Sequence, residues 1–157
     1  MITIKNGDLF NVTEGVICHQ VNCQGVMGSG VAKAFKEYFP TSYQYYLDEC
    51  NSVQNKFNLL GRTLNCYENN ESIITICMFA QYNYGRDKNF VYTDYEAFEK
   101  CCRQIAFDLN TYQLENITIN MPYKIGCGLA NGSWDIIFKI LEEVFKDFNV
   151  ILWRLEP

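Results

Sequence analysis

An α/β domain, one sheet covered by helices on both faces, is predicted from three observations. Six strand-like runs occur at 2–5, 16–21, 63–67, 72–79, 117–121 and 149–155. Between them lie stretches whose apolar residues recur at three- and four-residue spacing, the mark of helices with one buried face. A glycine-rich turn also stands where an apolar strand gives way to a helix. Strands alternating with helices imply a sheet buried on both sides.

Val16-Ile17-Cys18 reads as a buried strand, and the helix after it places Val31, Ala34, Phe35 and Tyr38 on one face before stopping at Pro40. Thr41-Ser42-Tyr43-Gln44 and Thr93-Asp94-Tyr95-Glu96 have capping-box form, so helices are expected near 41–53 and 94–109. A last helix, started by Ser133, is expected from Trp134 to Asp147, with Ile136, Ile137, Ile140, Leu141, Val144 and Phe145 as its apolar stripe. The 157 residues, 48% hydrophobic, suit one domain over 1–157 with a single core. No internal repeat, low-complexity segment or interdomain linker interrupts them.

The net charge of −5 argues against a broad basic face for nucleic acid, so an anionic ligand would have to be held locally. The eight cysteines read as core thiols, several lying inside apolar patterns. There is no Cys-x-x-Cys pair and His19 is the single histidine, which argues against a zinc site; no metal and no cofactor are expected. Neither a signal-peptide profile nor a run of membrane-spanning length is seen, so a reducing, cytoplasmic compartment, no membrane and a monomer are expected.

The segment from His19 to Ala32 is the most informative. It sets Asn22 and the turn Gly28-Ser29-Gly30 between strand and helix, where free backbone N–H groups and the positive helix end can meet a diphosphate. Such a turn also serves plain chain reversal.

Three motifs then resemble the macro domain, the ADP-ribose-binding module, over nearly the whole chain. Asn6-Gly7-Asp8-Leu9 resembles the family's first-strand Gly-Asp signature. His19-Gln20-Val21-Asn22 with Gly28-Ser29-Gly30-Val31-Ala32 resembles the first phosphate turn. Met121-Pro122-Tyr123-Lys124-Ile125-Gly126-Cys127-Gly128-Leu129-Ala130, then Asn131-Gly132-Ser133-Trp134, resembles the second phosphate loop. The likeness is to the small single-domain branch of ADP-ribose-1″-phosphate phosphatases and ADP-ribosyl hydrolases, phage-encoded members included.

The resemblance implies a three-layer α/β/α fold around a mixed sheet of about six strands. It further implies ligand contacts at Asp8, Leu9, Gln20, Val21, Asn22, Gly28, Ser29, Gly30, Val31, Gln81, Tyr82, Tyr84, Ile125, Gly126, Cys127, Gly128, Leu129 and Ala130. Asp8 would accept from the adenine amine, or else satisfy its own turn. Asn22 would bond the distal ribose or orient water, or else cap its loop. His19 matches a histidine of the yeast-type phosphatases and would relay a proton, or else is a strand histidine bonded to backbone.

The segment 81–88 reads as a polar, aromatic rim loop. Tyr82 or Tyr84 could pack on the distal ribose and Arg86 could meet a terminal phosphate, or be an ordinary loop residue. Trp153 is either a core aromatic or part of an adenine platform.

Two departures bear on the reaction. The branch that removes ADP-ribose from glutamate or thymine carries a lysine and an acid where this chain has Gln81 and Ala130; Lys88 and Lys124 are out of register, and Asp135 opens a helix. The expected function is therefore ADP-ribose binding with hydrolysis of ADP-ribose-1″-phosphate. The alternatives are a non-catalytic reader, or a hydrolase acting on ADP-ribosylated protein or DNA.

Overall fold

The computed structural model describes residues 1–155; the last two residues of the expected domain, 156 and 157, lie outside them. Its strands are β1 (Ile2–Asn6), β2 (Gly15–Asn22), β3 (Thr63–Glu68), β4 (Ile73–Gln81), β5 (Thr118–Pro122) and β6 (Asn149–Arg154). The helices are α1 (Gly30–Tyr38), α2 (Pro40–Ser52), α3 (Tyr95–Thr111) and α4 (Trp134–Val144). One mixed sheet runs β1-β6-β5-β2-β4-β3, parallel throughout except for the β3–β4 pair at one edge.

Period two sorts the strand residues between two cores. In β2, Val16 and Cys18 face the layer of α3 and α4, while Ile17 and Val21 face α1 and α2. In β4, Ile76, Met78 and Ala80 go to the first layer, Cys77 and Phe79 to the second. All eight cysteines are free, seven of them buried. Among the described residues no helix is long and apolar enough to cross a membrane.

Helix boundaries depart from the sequence expectations for identifiable reasons. Thr41 does not cap α2. Pro40 already occupies the first turn, where its fixed φ suits a helix start and its missing N–H costs nothing, and Phe39 closes α1 through Phe39 N–H to Phe35 O at 2.8 Å. Thr93 does not cap α3 either. Asp94 does, accepting from Ala97 N–H at 2.9 Å, because the Thr93 hydroxyl is drawn elsewhere. Helix α4 stops at Val144 rather than Asp147, since Phe145 and Phe148 turn inward and pack edge to face. Ser133 holds the cap position of α4 without a side-chain bond. Ile136, expected in the apolar stripe, is 43% exposed, and Val31 and Tyr38 of α1 are likewise exposed.

The sheet is not uniformly zipped. β2 pairs with β4 from Gly15↔Ile73 to Asn22↔Gln81, but meets β5 only at Val16↔Ile119 and Ile17↔Asn120. Beyond that point β2 and β5 part, and their chains leave for opposite faces, β2 toward α1 and β5 toward α4. Asn120, 2% exposed, pins the last shared register: its Nδ2 donates to Val16 O at 3.0 Å and its Oδ1 accepts from Trp153 Nε1 at 2.8 Å.

His19 sits on the α1 side of β2, 1% exposed, its ring stacked on Phe35 at 3.8 Å. Nε2 lies 3.5 Å from Cys77 Sγ, and Nδ1 has no partner. Burial without a counter-charge lowers its pKa from 6.5 to about 3, so the ring is neutral at physiological pH.

Two stability predictions follow from these groups. Asn120→Ala should lower the unfolding free energy by about 2–4 kcal/mol, since it opens a void and strands the Val16 carbonyl and the Trp153 N–H; urea denaturation measures it. For His19, the unfolded chain binds the extra proton between pH 6.5 and about 3. Its contribution is therefore whole above 6.5 and is lost as pH falls toward 3, by at most about 1.4 kcal/mol per pH unit. Urea midpoints of wild type should fall more steeply over that range than those of His19→Gln.

Candidate functional site

A cavity of about 660 Å³ opens where β2 and β5 part. The end of β2 contributes His19, Gln20, Val21 and Asn22. The turn into α1 contributes Val26, Gly28, Ser29, Gly30, Val31 and Ala32. Gln81, Tyr84, Gly85 and Arg86 come from the end of β4, and the run from Pro122 to Ala130 follows β5. Ligands of open parallel sheets settle at such a switch point, outside the carboxyl ends of strands.

The first loop is held from beneath. Asn22 Oδ1 accepts from Gln24 N–H at 2.9 Å and Nδ2 donates to Val26 O at 2.7 Å, so its amide folds the turn. Buried Tyr46 of α2 places its hydroxyl 2.7 Å from Asn22 O and 3.0 Å from Asn22 Oδ1, and accepts from Gly25 N–H at 3.2 Å. Burial pushes the Tyr46 pKa up, keeping it a neutral donor. The N–H groups of Gly30, Val31 and Ala32 precede the first intrahelical donor, Lys33, which bonds Ser29 O. They are the free donors of this wall.

The second loop hangs on Thr93. Its hydroxyl donates to Gly126 O at 2.6 Å and accepts from Gln20 Nε2 at 2.9 Å, while the other hydrogen of that amide goes to Gln81 Oε1 at 2.9 Å. Gln20 Oε1 is thus left buried without a partner, against Gly126. Gly126 has φ +78, and a Cβ there would lie 2.8 Å from that oxygen, so both conformation and space require glycine. Asn131 Nδ2 donates to Asp87 O and Phe90 O, and Ala130 O accepts from the N–H groups of Tyr92 and Thr93. The amides of Gly128, Leu129 and Ala130 have no acceptor among the described residues.

The electrostatics of the wall oppose those of the chain. Aspartate and glutamate outnumber lysine and arginine 18 to 13, yet among the described residues no carboxylate lines the cavity and two cations, Arg86 and Lys124, do. Partial burial raises the Cys127 thiol to about 11, which makes it a poor nucleophile at neutral pH.

Most of the expected site residues meet at this cavity. Asp8, Leu9 and Tyr82 do not. Asp8 Oδ1 accepts from Phe10 N–H at 2.9 Å, capping the short 3-10 turn Leu9–Asn11, and Leu9 is buried in the α1–α2 core. Tyr82 stacks flat on Phe57 at 3.7 Å and its carbonyl accepts from Cys23 N–H. Trp153 is half-buried and tied to Asn120. Sequence reasoning missed Thr93 and Tyr46, whose work depends on contacts across 33 and 24 residues. It also set Lys124 aside; the only signal for it is its place within the second glycine-rich motif.

The Macro domain family model matches residues 18–141. The ADP-ribose 1''-phosphate phosphatase of the yeast Meyerozyma guilliermondii is 31% identical over 168 residues, with 93% of each chain covered. A protein of unknown function from Bacteroides thetaiotaomicron superposes with a TM-score of 0.83 at 25% identity, covering 99% of this chain and 98% of its own. The macrodomain of Mycobacterium tuberculosis DarG does so with 0.78 at 19% identity, covering 98% and 97%, and is a likeness of fold. With a family match over most of its length, and a relative above 30% identity along nearly all of it, the chain belongs to the macro domain family.

Proposed function

We propose that residues 1–157 form one monomeric, cytoplasmic macro domain that binds ADP-ribose and hydrolyses ADP-ribose-1″-phosphate to ADP-ribose and inorganic phosphate. The observation that carries the reading is the cavity at the β2–β5 parting, walled by two loops with free backbone donors and, among the described residues, lined by no carboxylate. Uncharged donors fixed at loop and helix ends suit a diphosphate. The yeast relative named as the phosphatase aligns over 93% of this chain. Asp8 is assigned to the adenine amine by the family resemblance, through the carboxylate oxygen that does not accept from Phe10 N–H. Gln81 and Tyr84 of the rim are assigned to the distal ribose.

In the reaction a water oxygen bonds to phosphorus, the P–O1″ bond breaks, and O1″ leaves as a hydroxyl on taking a proton. Asn22 is assigned a positioning part, because its amide is spent on the first loop. His19, neutral and with an unpartnered Nδ1, is the group assigned to accept the proton of the attacking water. No metal is assigned to the step.

One observation favours a second reading, a binder without turnover. An imidazole with a pKa near 3 is a weak base at neutral pH, and its stacked, enclosed ring serves the core as it stands. A hydrolase acting on modified protein or DNA is less well supported, since no cavity carboxylate is at hand for glycosidic chemistry.

Gly28 and Gly128 give a clean test of binding. Neither has a left-handed backbone; a Cβ at Gly128 meets nothing within 4 Å, and one at Gly28 only Val26 at 3.7 Å. Gly28→Ala and Gly128→Ala should therefore unfold like wild type, yet bind ADP-ribose about tenfold more weakly, about 1.4 kcal/mol each, by calorimetry. Unchanged affinity in both would remove the loops from the diphosphate site. For turnover, phosphate release from ADP-ribose-1″-phosphate should be measurable and insensitive to a chelator, and His19→Gln should slow it about 10²–10⁴-fold with ADP-ribose affinity nearly unchanged. No release, with ADP-ribose binding retained, would leave the second reading.

A further inference from the structure

Arg86 and Lys124 line the cavity from different walls, both exposed, and among the described residues neither is in an ion pair. In a chain of net charge −5, two cations in a cavity that no carboxylate lines among the described residues need an explanation. The backbone around each is anchored. A Cβ on Gly85 would overlap the Tyr92 hydroxyl, and that hydroxyl accepts from Asp87 N–H at 3.2 Å, so Arg86 is flanked on both sides by chain held against Tyr92. Lys124 is shared by two successive turns, closed by Ile125 N–H to Pro122 O at 3.1 Å and Cys127 N–H to Lys124 O at 2.9 Å. It takes a left-handed φ of 58°, where glycine or asparagine would be less strained. Its ammonium lies 5.7 Å over the ring of Tyr123, another residue of the cavity wall, which keeps the charge at the cavity.

We infer that Arg86 and Lys124 form a second anion subsite, which takes the 1″-phosphomonoester of the substrate and distinguishes it from ADP-ribose itself. The inference deepens the phosphatase reading and rests on it. Free backbone donors provide for the diphosphate without formal charge. A phosphomonoester brings close to two further negative charges at neutral pH, which call for full cations. Arg86 supplies a planar fork for two phosphate oxygens and Lys124 a point charge. Once the P–O1″ bond is broken, the charge these cations hold leaves as inorganic phosphate, so ADP-ribose is bound by the loops alone.

The test compares wild type with Arg86→Ala, with Lys124→Asn, which tolerates the left-handed backbone, and with the double variant. KM and kcat for phosphate release from ADP-ribose-1″-phosphate are measured alongside the calorimetric Kd for ADP-ribose. The double variant should raise KM at least tenfold and leave the ADP-ribose Kd within twofold. Added salt should weaken the 1″-phosphate ligand more than ADP-ribose in wild type but not in the double variant. Equal loss for both ligands would assign the cations to the diphosphate and overturn the subsite, as would no change in either. Should wild type bind both ligands without releasing phosphate, the phosphatase reading fails separately; the subsite then stands only if wild type prefers the 1″-phosphate ligand and the double variant does not. Failure of wild type to bind either ligand overturns both.

Discussion

The parting of β2 from β5 is the constraint on which the rest of the molecule depends. Two register pairs hold these strands together, and beyond them the sheet has a gap at its centre rather than at an edge. A gap in the middle of a parallel sheet exposes backbone polar groups that must find partners. Asn120 closes the account at the base of the gap, with Val16 O on one side and Trp153 on the other. Asn22 and Thr93 close it higher up by bonding loop backbone, and Gln20 holds the Thr93 hydroxyl in place. What remains unsatisfied is concentrated at the loop amides, and those define the mouth of the cavity.

Charge is partitioned to match. Among the described residues the acidic groups lie away from the cavity wall, and the wall combines neutral N–H donors with two cations. Backbone N–H donors do not titrate near neutral pH, and they cost little reorganisation when a ligand arrives. Selectivity among anionic ligands then falls to the few full charges.

The sheet, the helices and both glycine-rich loops were legible in the sequence because they rest on local information: period-two and period-3.6 patterns, and glycines at strand-to-helix turns. Every strand run lies within two residues of a strand in the structure. The helix starts were read less well, for one recurring reason. A hydroxyl can cap a helix or bond a distant carbonyl, and Thr93 chose Gly126 O, 33 residues away, leaving the cap to Asp94. Pro40 likewise starts α2 one residue before Thr41, which leaves the cap position to Phe39. At the site, residues drawn from the strand ends and glycine turns were found at the cavity, whereas Asp8 and Tyr82 lie off its wall, because a motif specifies neither where its carboxylate is spent nor which ring it meets. Lys124 was weighed only as a nucleophile and set aside, because its place on the cavity wall and its left-handed φ are not written in the chain.

Tyr46 has a wider consequence. Its hydroxyl reaches from the middle of α2 to the first turn, and α2 follows α1 with only Phe39 between them. The turn, the N-terminal donors of α1 and the packing of α2 therefore form one cooperative unit. Local opening of α2 would release the Asn22–Gly25 turn, so the free energy of that opening limits how long the amides stay aligned. A ligand that requires aligned amides must, by linkage, protect a helix it never touches, and the amide hydrogens of α2 should exchange more slowly when the cavity is filled.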